Sequence, residues 1–171
     1  MEPTLVEKPQ ITLVGLSFFG NPFAVSGGWT EENEIGRLWN RFMAYLTQHP
    51  GRIKHVLPEN VSYEVHIEHE ETRNTGEYEV FTGLEVTALE DVPVELSVKI
   101  LPPVTYAVFT LRGQQIVSDW EKTIVSEWMS RSGYQSPYRY GFQLYDERFK
   151  GIQNIDESIL DVYVPVTKIM G

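Results

Sequence analysis

The sequence predicts an α+β fold in which two β-α-β-β half-modules form a largely antiparallel sheet, with two helices flanking a central groove. Apolar residues recur at helical spacing in two stretches, several segments alternate apolar and polar residues, and the order strand, helix, strand, strand occurs twice. No linker rich in Gly, Ser or Pro divides the chain. We therefore expect one domain over residues 1–171, with pseudo-repeat halves of about 1–94 and 95–171.

The first half begins with a predicted buried strand at residues 11–19. Thr30 is the expected N-cap of the first helix, because acidic residues follow it in the first turn. The loop before it contains Gly27-Gly28 and is a candidate cover for the groove. The helix should end near His49-Pro50-Gly51, since proline and glycine both stop helices. Its apolar stripe consists of Ile35, Leu38, Trp39, Phe42 and Leu46.

A hairpin completes the first half. Residues 63–70 alternate, so that Glu64, His66 and Glu68 share one face of the predicted strand. A turn at Asn74-Thr75-Gly76 leads into a second strand at residues 78–86.

The second half repeats this order. Strands are expected at residues 96–101 and 104–112, either as two strands or as one strand that is broken at Pro102-Pro103. A helix over residues 115–131 follows, with Gly133 as its left-handed C-cap. Two further strands are expected at residues 138–149 and 159–166. The apolar stripe of this helix is Ile116, Trp120, Ile124 and Trp128.

The internal repeat rests on a weak alignment of the two halves. Tyr63-Glu64-Val65-His66 matches Tyr140-Gly141-Phe142-Gln143, residues 79–86 match residues 159–166, and Trp39 matches Trp128. Chance similarity of amphipathic elements is the alternative. If the repeat is real, His66 and Gln143 face each other across a pseudo-two-fold axis, and the groove where the repeats meet is a natural ligand pocket.

Composition excludes several classes of function. The 42% hydrophobic content supports a real core, and the net charge of −10 with scattered Lys and Arg argues against nucleic-acid binding. There is no cysteine, and neither a signal peptide nor an apolar run of membrane-spanning length occurs. We expect a cytoplasmic protein whose acidic surface tolerates cationic small molecules or a basic protein partner.

Three segments resemble the GyrI-like, AraC-type bacterial effector-binding superfamily. Residues 29–42 (WTEENEIGRLWNRF) resemble its first-helix signature, residues 140–149 (YGFQLYDERF) its penultimate strand, and residues 161–166 (DVYVPV) its terminal strand. The resemblance covers nearly the whole chain. It is strongest to the stand-alone, integron-cassette effector-binding proteins.

This resemblance implies a domain that senses or sequesters a lipophilic small molecule, which in relatives is often a cationic drug or dye. Several relatives fuse the domain to a DNA-binding module, so that the ligand controls transcription. Here we expect the sensor alone, with no direct contact to nucleic acid or membrane. Two alternatives stay open: a GyrI-like hydrolase that detoxifies electrophilic compounds, and an acidic protein-interaction module.

Gln143 departs from the pattern of the multidrug-sensing relatives. The resemblance implies a glutamate at this position that meets the positive charge of the ligand, whereas an amide offers a dipole and hydrogen bonds. Glu64 or Glu68 is the candidate to restore the charge. Each tryptophan at helical spacing has plain core packing as its alternative. The expected ligand-binding residues are Trp39, Glu64, His66, Trp120, Gln143 and Tyr145.

Catalytic, metal and cofactor sites are not expected. His66 and His69 form the one cluster of metal-ligand residue types, but that spacing directs them to opposite faces of a strand. No nucleotide fingerprint or phosphate-binding glycine loop occurs. Gln143 also removes the most obvious carboxyl group for acid–base chemistry.

Overall fold

The computed structural model describes residues 1–23 and 32–170. The predicted N-cap Thr30 and the Gly27-Gly28 loop lie outside these residues. Within them, the helices are α1 (Glu34–Gln48), α2 (Thr72–Thr75) and α3 (Glu127–Ser132). The strands are β1 (Thr4–Lys8), β2 (Ile11–Gly20), β3 (Ser62–Ile67), β4 (Tyr78–Glu85), β5 (Ser97–Leu101), β6 (Val104–Arg112), β7 (Tyr134–Gln135), β8 (Tyr140–Tyr145) and β9 (Ile159–Lys168).

The strands form one antiparallel sheet in the order β1-β6-β9-β8-β3-β4-β2-β5, and β7 pairs with β9. The β3–β8 pair is its centre, and the order of equivalent strands is the same on both sides of that pair. The predicted α+β class and the duplicated arrangement are confirmed. Pro102-Pro103 separates two strands, since β5 pairs with β2 while β6 pairs with β1 and β9.

The strand register corrects the predicted alignment of the two halves. Tyr63 pairs with Gly83 in the first half, and the predicted alignment matches these residues to Tyr140 and Tyr163. Tyr163 instead pairs with Phe142. The predicted alignment would pair Tyr163 with Tyr140. In the structure its partner lies two residues further along β8, so the match of β3 to β8 and the match of β4 to β9 disagree by two residues.

Helix α1 has the predicted apolar stripe but a different N-cap. The side chain of Asn33 accepts a hydrogen bond from the backbone N–H of Gly36 at 2.9 Å, which makes Asn33 the N-cap instead of Thr30. The helix ends at Gln48, as the following His49-Pro50-Gly51 predicts. Leu38 and Phe42 are its buried residues. They join a core cluster with residues of β2 and β4 on one face of the sheet.

The prediction of one helix over residues 115–131 is wrong. A short 3₁₀ turn (Gly113–Gln115) is followed by a non-helical stretch, and the chain then forms a π-helical turn (Glu121–Ser126) that continues as α3. The hydroxyl and the backbone N–H of Ser118 both donate to the Gln115 carbonyl, at 2.6 and 3.2 Å, so a tight turn forms there and not the regular helical ladder. Gly133 is the predicted left-handed C-cap, with φ of 78°.

Trp128 belongs to the core beneath α3. Its ring stacks on Tyr134 at 5.6 Å between centroids and meets the Phe109 ring edge-on. Its indole N–H donates to Glu2 at 3.2 Å. Core packing is therefore the correct interpretation for this tryptophan.

Two smaller differences concern short elements. β1 lies within the N-terminal stretch for which no strand was predicted, and it shows only partial burial. The predicted turn at Asn74-Thr75-Gly76 is the end of α2, with Gly76 left-handed at φ of 74°. None of the helices in the described ranges is both long enough and apolar enough to span a bilayer.

Candidate ligand-binding site

A cavity of about 810 Å³ lies on the helical face of the sheet. The central strands β3 and β8 form its floor, α1 forms one wall, and residues 117–121 contribute to the other. The six residues that the sequence predicted all line it. They are Trp39 from α1, Glu64 and His66 from β3, Gln143 and Tyr145 from β8, and Trp120 at the start of the π-helical turn.

Strand alternation places the four floor residues on one face. Glu64 and His66 are two residues apart on β3, as are Gln143 and Tyr145 on β8. In the register of the sheet, the partner of Gln143 is Glu64, and the partner of His66 is Gly141. His66 and Gln143, which the repeat alignment matched, both line the same cavity, but they are not cross-strand partners.

Glu64 is the buried acid of this floor, with 4% of its surface exposed. The Trp39 indole N–H donates to its Oε1 at 2.6 Å. The Nε2 atom of His66 lies 2.6 Å from its Oε2. A buried carboxylate destabilises the folded state unless hydrogen bonds satisfy its oxygens. The contacts with Trp39 and His66 satisfy both oxygens of Glu64 and fix the position of the side chain.

Gln143 and Tyr145 form the other half of the floor. The Tyr145 hydroxyl donates to the Gln143 Oε1 atom at 2.8 Å. Burial, and then the negative charge of Glu64, raise the pKa of Tyr145 well above its ordinary value. Tyr145 is therefore a neutral donor at physiological pH. Its ring meets Trp39 edge-on at 5.1 Å and Phe149 at 4.8 Å, which makes this side of the cavity aromatic.

The charged groups around the cavity are mostly acidic. Four carboxyl side chains line it, whereas no lysine or arginine of the described residues does so. Burial opposes ionisation of Asp146, but hydrogen bonds from Arg148 outweigh it and hold the pKa of Asp146 below its ordinary value. The other three carboxyl groups leave the cavity with a negative potential. The four residues are Glu64, Asp119, Glu121 and Asp146.

Sequence reasoning missed several lining residues. Tyr78 shares the face of β4 that lies beside His66, and the two rings are 5.6 Å apart. Its position in the alternation of the predicted strand was a usable signal. Met43 lies one helical turn after Trp39 and was equally accessible to helical spacing. Asp119 had no such signal, because the chain there is not helical as predicted.

Glu68, which the sequence offered as a candidate to restore the charge, lies away from the cavity, and so do Glu85 and His69. Glu68 is exposed and lies with His69 and Arg139 at a separate surface depression. Glu85 accepts a hydrogen bond from the Tyr63 hydroxyl at 2.7 Å and does not line the cavity. His69 pairs with Glu79 at 3.1 Å. No group of three or more potential metal ligands occurs in the part of the chain that the structure describes.

The titration of Tyr78 should report the charge of Glu64. Burial raises the pKa of Tyr78 to about 12, with smaller contributions from the charges of Glu64 and Glu121. Because this pKa exceeds the unfolded value of about 10, the resulting stability is present below about pH 10 and is lost as the pH rises to about 12. Glu64→Gln should lower the pKa of Tyr78, while burial keeps it above about 10.

The measurement is the ultraviolet absorbance of tyrosinate against pH. The signal of Tyr78 is the titration curve of the native protein minus that of the Tyr78→Phe variant. The same subtraction in the Glu64→Gln background gives the titration of Tyr78 without the charge of Glu64. An unchanged midpoint in the Glu64→Gln background would mean that Glu64 exerts no field on this ring.

Sequence comparisons place the chain among effector-binding proteins. A sequence model of the family described as "integron-associated effector binding protein" matches residues 4–166. The transcriptional regulator BrlR of Pseudomonas aeruginosa is 30% identical over 168 residues, which are 97% of this chain. The chain spans 56% of the length of that regulator.

Solved structures of low sequence identity have the same fold. The structure of SAV2435 bound to tetraphenylphosphonium is 17% identical, with a TM-score of 0.69, and the match covers 98% of this chain and 94% of that one. An integron cassette protein from the mobile metagenome of Vibrio cholerae is also 17% identical, with a TM-score of 0.61 and coverage of 97% and 96%.

Proposed function

Because the chain belongs to the integron-associated effector-binding protein family, we propose that it binds a lipophilic cation as its effector in the cavity over β3 and β8. The observation that carries this proposal is Glu64, a buried carboxyl group in the floor of an aromatic cavity. Its oxygens are held by Trp39 and His66. The acid is thus positioned before a ligand arrives.

The cavity offers both kinds of interaction that such a ligand needs. Aromatic rings of Trp39, Trp120 and Tyr145 provide apolar surface, and ring faces attract cations. Glu64 provides the opposite charge in a region of low dielectric, where a charge pair is stronger than in water. The absence of lysine and arginine from the described lining removes competition for that charge. An anion of the same shape contacts the same apolar surface but is repelled by the negative charge of Glu64.

Glu64 thereby compensates for the amide at Gln143. The two residues are direct partners across β3 and β8, so the negative charge lies one strand away from the position that the family resemblance indicated. Tetraphenylphosphonium, which is bound in the structure of SAV2435, is a lipophilic cation and supports this ligand class for the present chain.

The proposed role is that of a sensor for regulation. Trp39 belongs to the first half of the duplicated fold, and Trp120 belongs to the second. A ligand that contacts both walls of the cavity would tie the two halves together and stabilise the folded state by mass action. The similarity to the regulator BrlR supports a link between this binding event and transcription.

A matched pair of oppositely charged ions tests the proposal. Tetraphenylphosphonium and tetraphenylborate have nearly the same shape. The difference between their affinities therefore reports the sign of the electrostatic potential in the cavity. We expect saturable binding of the phosphonium in calorimetry, with tryptophan fluorescence as a second signal, and at least about 100-fold weaker binding of the borate.

Equal affinity for the two ions, or no binding of either, would contradict the proposal. Mass spectrometry of electrophilic ring compounds after incubation separates binding from catalysis. Their recovery in chemically changed form would favour the hydrolase alternative, and Glu64 would then be the first residue to test as its acid or base.

A further inference from the structure

We infer that the cavity selects lipophilic cations that carry a hydrogen-bond acceptor next to the charged group, and that the side-chain NH₂ of Gln143 binds this acceptor. The inference rests on the proposed function, because it names a subclass of cations for the same cavity. Its basis is the unused hydrogen-bonding capacity of Gln143 beside Glu64.

Gln143 has an unmatched donor group. The residue is only 4% exposed and lines the cavity. Its Oε1 atom accepts the hydroxyl of Tyr145 at 2.8 Å, whereas its Nε2 atom has no hydrogen-bond partner among the described residues. The Nε2 atom is accessible at the surface of the cavity, because it is not among the fully buried side-chain atoms without a partner, for which the described residues give Thr82 Oγ1. An amide NH₂ can donate two hydrogen bonds. A ligand atom in the cavity is in a position to supply the missing acceptor.

The neighbours of Gln143 fix which end of its amide faces the ligand. Tyr145 keeps its proton, since burial and the charge of Glu64 raise its pKa, and so it needs an acceptor. That requirement turns the amide oxygen towards Tyr145. Glu64 is the cross-strand partner on the same face, and its negative charge attracts the positive NH₂ end. Both neighbours therefore favour the same orientation.

This orientation sets the chemistry of the preferred ligand. Side chains of directly opposed residues begin about 5 Å apart, so the anionic Glu64 and the donor Gln143 form one two-part site. A cationic centre against Glu64 leaves room for an ether or carbonyl oxygen against Gln143, about two or three bonds from the charge. A cation with only hydrocarbon substituents binds without satisfying the amide.

Two phosphonium ions of equal charge and chain length test this inference. n-Butyltriphenylphosphonium and (2-methoxyethyl)triphenylphosphonium differ by the exchange of one methylene group for an ether oxygen. We expect the native protein to bind the ether about 3- to 10-fold more tightly, which is the usual worth of one hydrogen bond. Gln143→Met keeps the length of the side chain and removes the donor, and Tyr145→Phe removes the hydroxyl that Gln143→Met would leave without its acceptor. The double variant should therefore reverse the preference in favour of the butyl compound.

Gln135→Met is the matched control, because Gln135 is exposed on β7 and does not line the cavity. It should leave the ratio of the two affinities unchanged. Nuclear magnetic resonance of the labelled Gln143 side-chain amide in the native protein gives an independent measurement. The ether should shift the NH₂ resonances beyond the shift that the butyl compound causes.

The outcomes separate this inference from the proposed function. If neither phosphonium ion binds the native protein, the proposed function is wrong and the inference falls with it. If both bind with equal affinity, and if the amide resonances respond to both alike, the inference is overturned while cation binding stands. A preference for the ether that persists in the double variant Gln143→Met, Tyr145→Phe has the same meaning.

Discussion

Glu64→Gln should weaken the binding of tetraphenylphosphonium by about 30- to 100-fold, as expected when a buried charge loses its charged partner. The substitution removes the negative charge but keeps the shape of the side chain. Its amide oxygen can still accept the indole N–H of Trp39, which now donates to Glu64 at 2.6 Å. The geometry of the cavity should therefore persist while its attraction for a cation is lost. Isothermal calorimetry measures the change directly.

Glu68→Gln provides the matched control for this experiment. Glu68 lies just beyond the same strand, is exposed, and does not line the cavity, although its substitution changes the net charge equally. Its effect on affinity should be less than about twofold at physiological salt, because exposed charges are screened. Equal effects of the two substitutions would mean that the cation senses only the overall charge of the protein.

Phe42→Ala should lower the free energy of unfolding by about 3 to 5 kcal/mol, the usual cost of removing a fully buried phenylalanine. Phe42 has no exposed surface and packs with Leu38 into the core cluster beneath α1. Its removal leaves a cavity where the helix meets the sheet. For a domain of this length, the midpoint of thermal unfolding should fall by about 10 °C. Chemical denaturation followed by circular dichroism measures the free energy.

Arg41→Ala serves as the control, since Arg41 precedes Phe42 on α1 and is exposed. It should change stability by less than about 0.5 kcal/mol. Phe42→Ala should also weaken cation binding, because α1 carries Trp39 to the cavity. A loss of stability below about 1 kcal/mol would show that the helix can repack, and that Phe42 does not anchor it.

The sequence predicted those elements whose periodicity comes from the faces they bury. α1 combines a continuous apolar stripe with clear stop signals, and its end was predicted correctly at Gln48. The alternation in β3 and β8 placed Glu64 and Gln143 on the face that lines the cavity. Such patterns survive in the structure because the two faces of each element have different surroundings, which for β3 and β8 are the cavity on one face and the apolar core on the other.

The missed elements owe their structure to tertiary contacts. β1 is an edge strand whose partner is β6, and its half-exposed residues carry little pattern of their own. In the second helix, Ile116 and Trp128 are both buried as their spacing suggests, yet the chain between them is not one helix. Periodicity reports which residues are buried, but not whether the backbone between them stays regular.

The direct pairing of Glu64 with Gln143 also could not be predicted from the sequence. Placing both residues on one face needs only the period of two, whereas pairing them needs the register between β3 and β8. The weak repeat alignment matched Gln143 with His66, which lies on the same face of β3 but two residues beyond its cross-strand partner Glu64. Six of the residues that line the cavity were therefore predictable, but the direct pairing of Glu64 with Gln143 was not.

The edge strands have a consequence for the order of folding. β1 emerges first during synthesis, but Thr4 lies opposite Val108, so its partner strand β6 is made long afterwards. Contacts this distant in the chain form slowly, because the closure of long loops precedes any gain from pairing. The contacts of the β3–β4 hairpin can form early, whereas β1 must wait for β6. We therefore expect β1 to be one of the last strands to join the sheet.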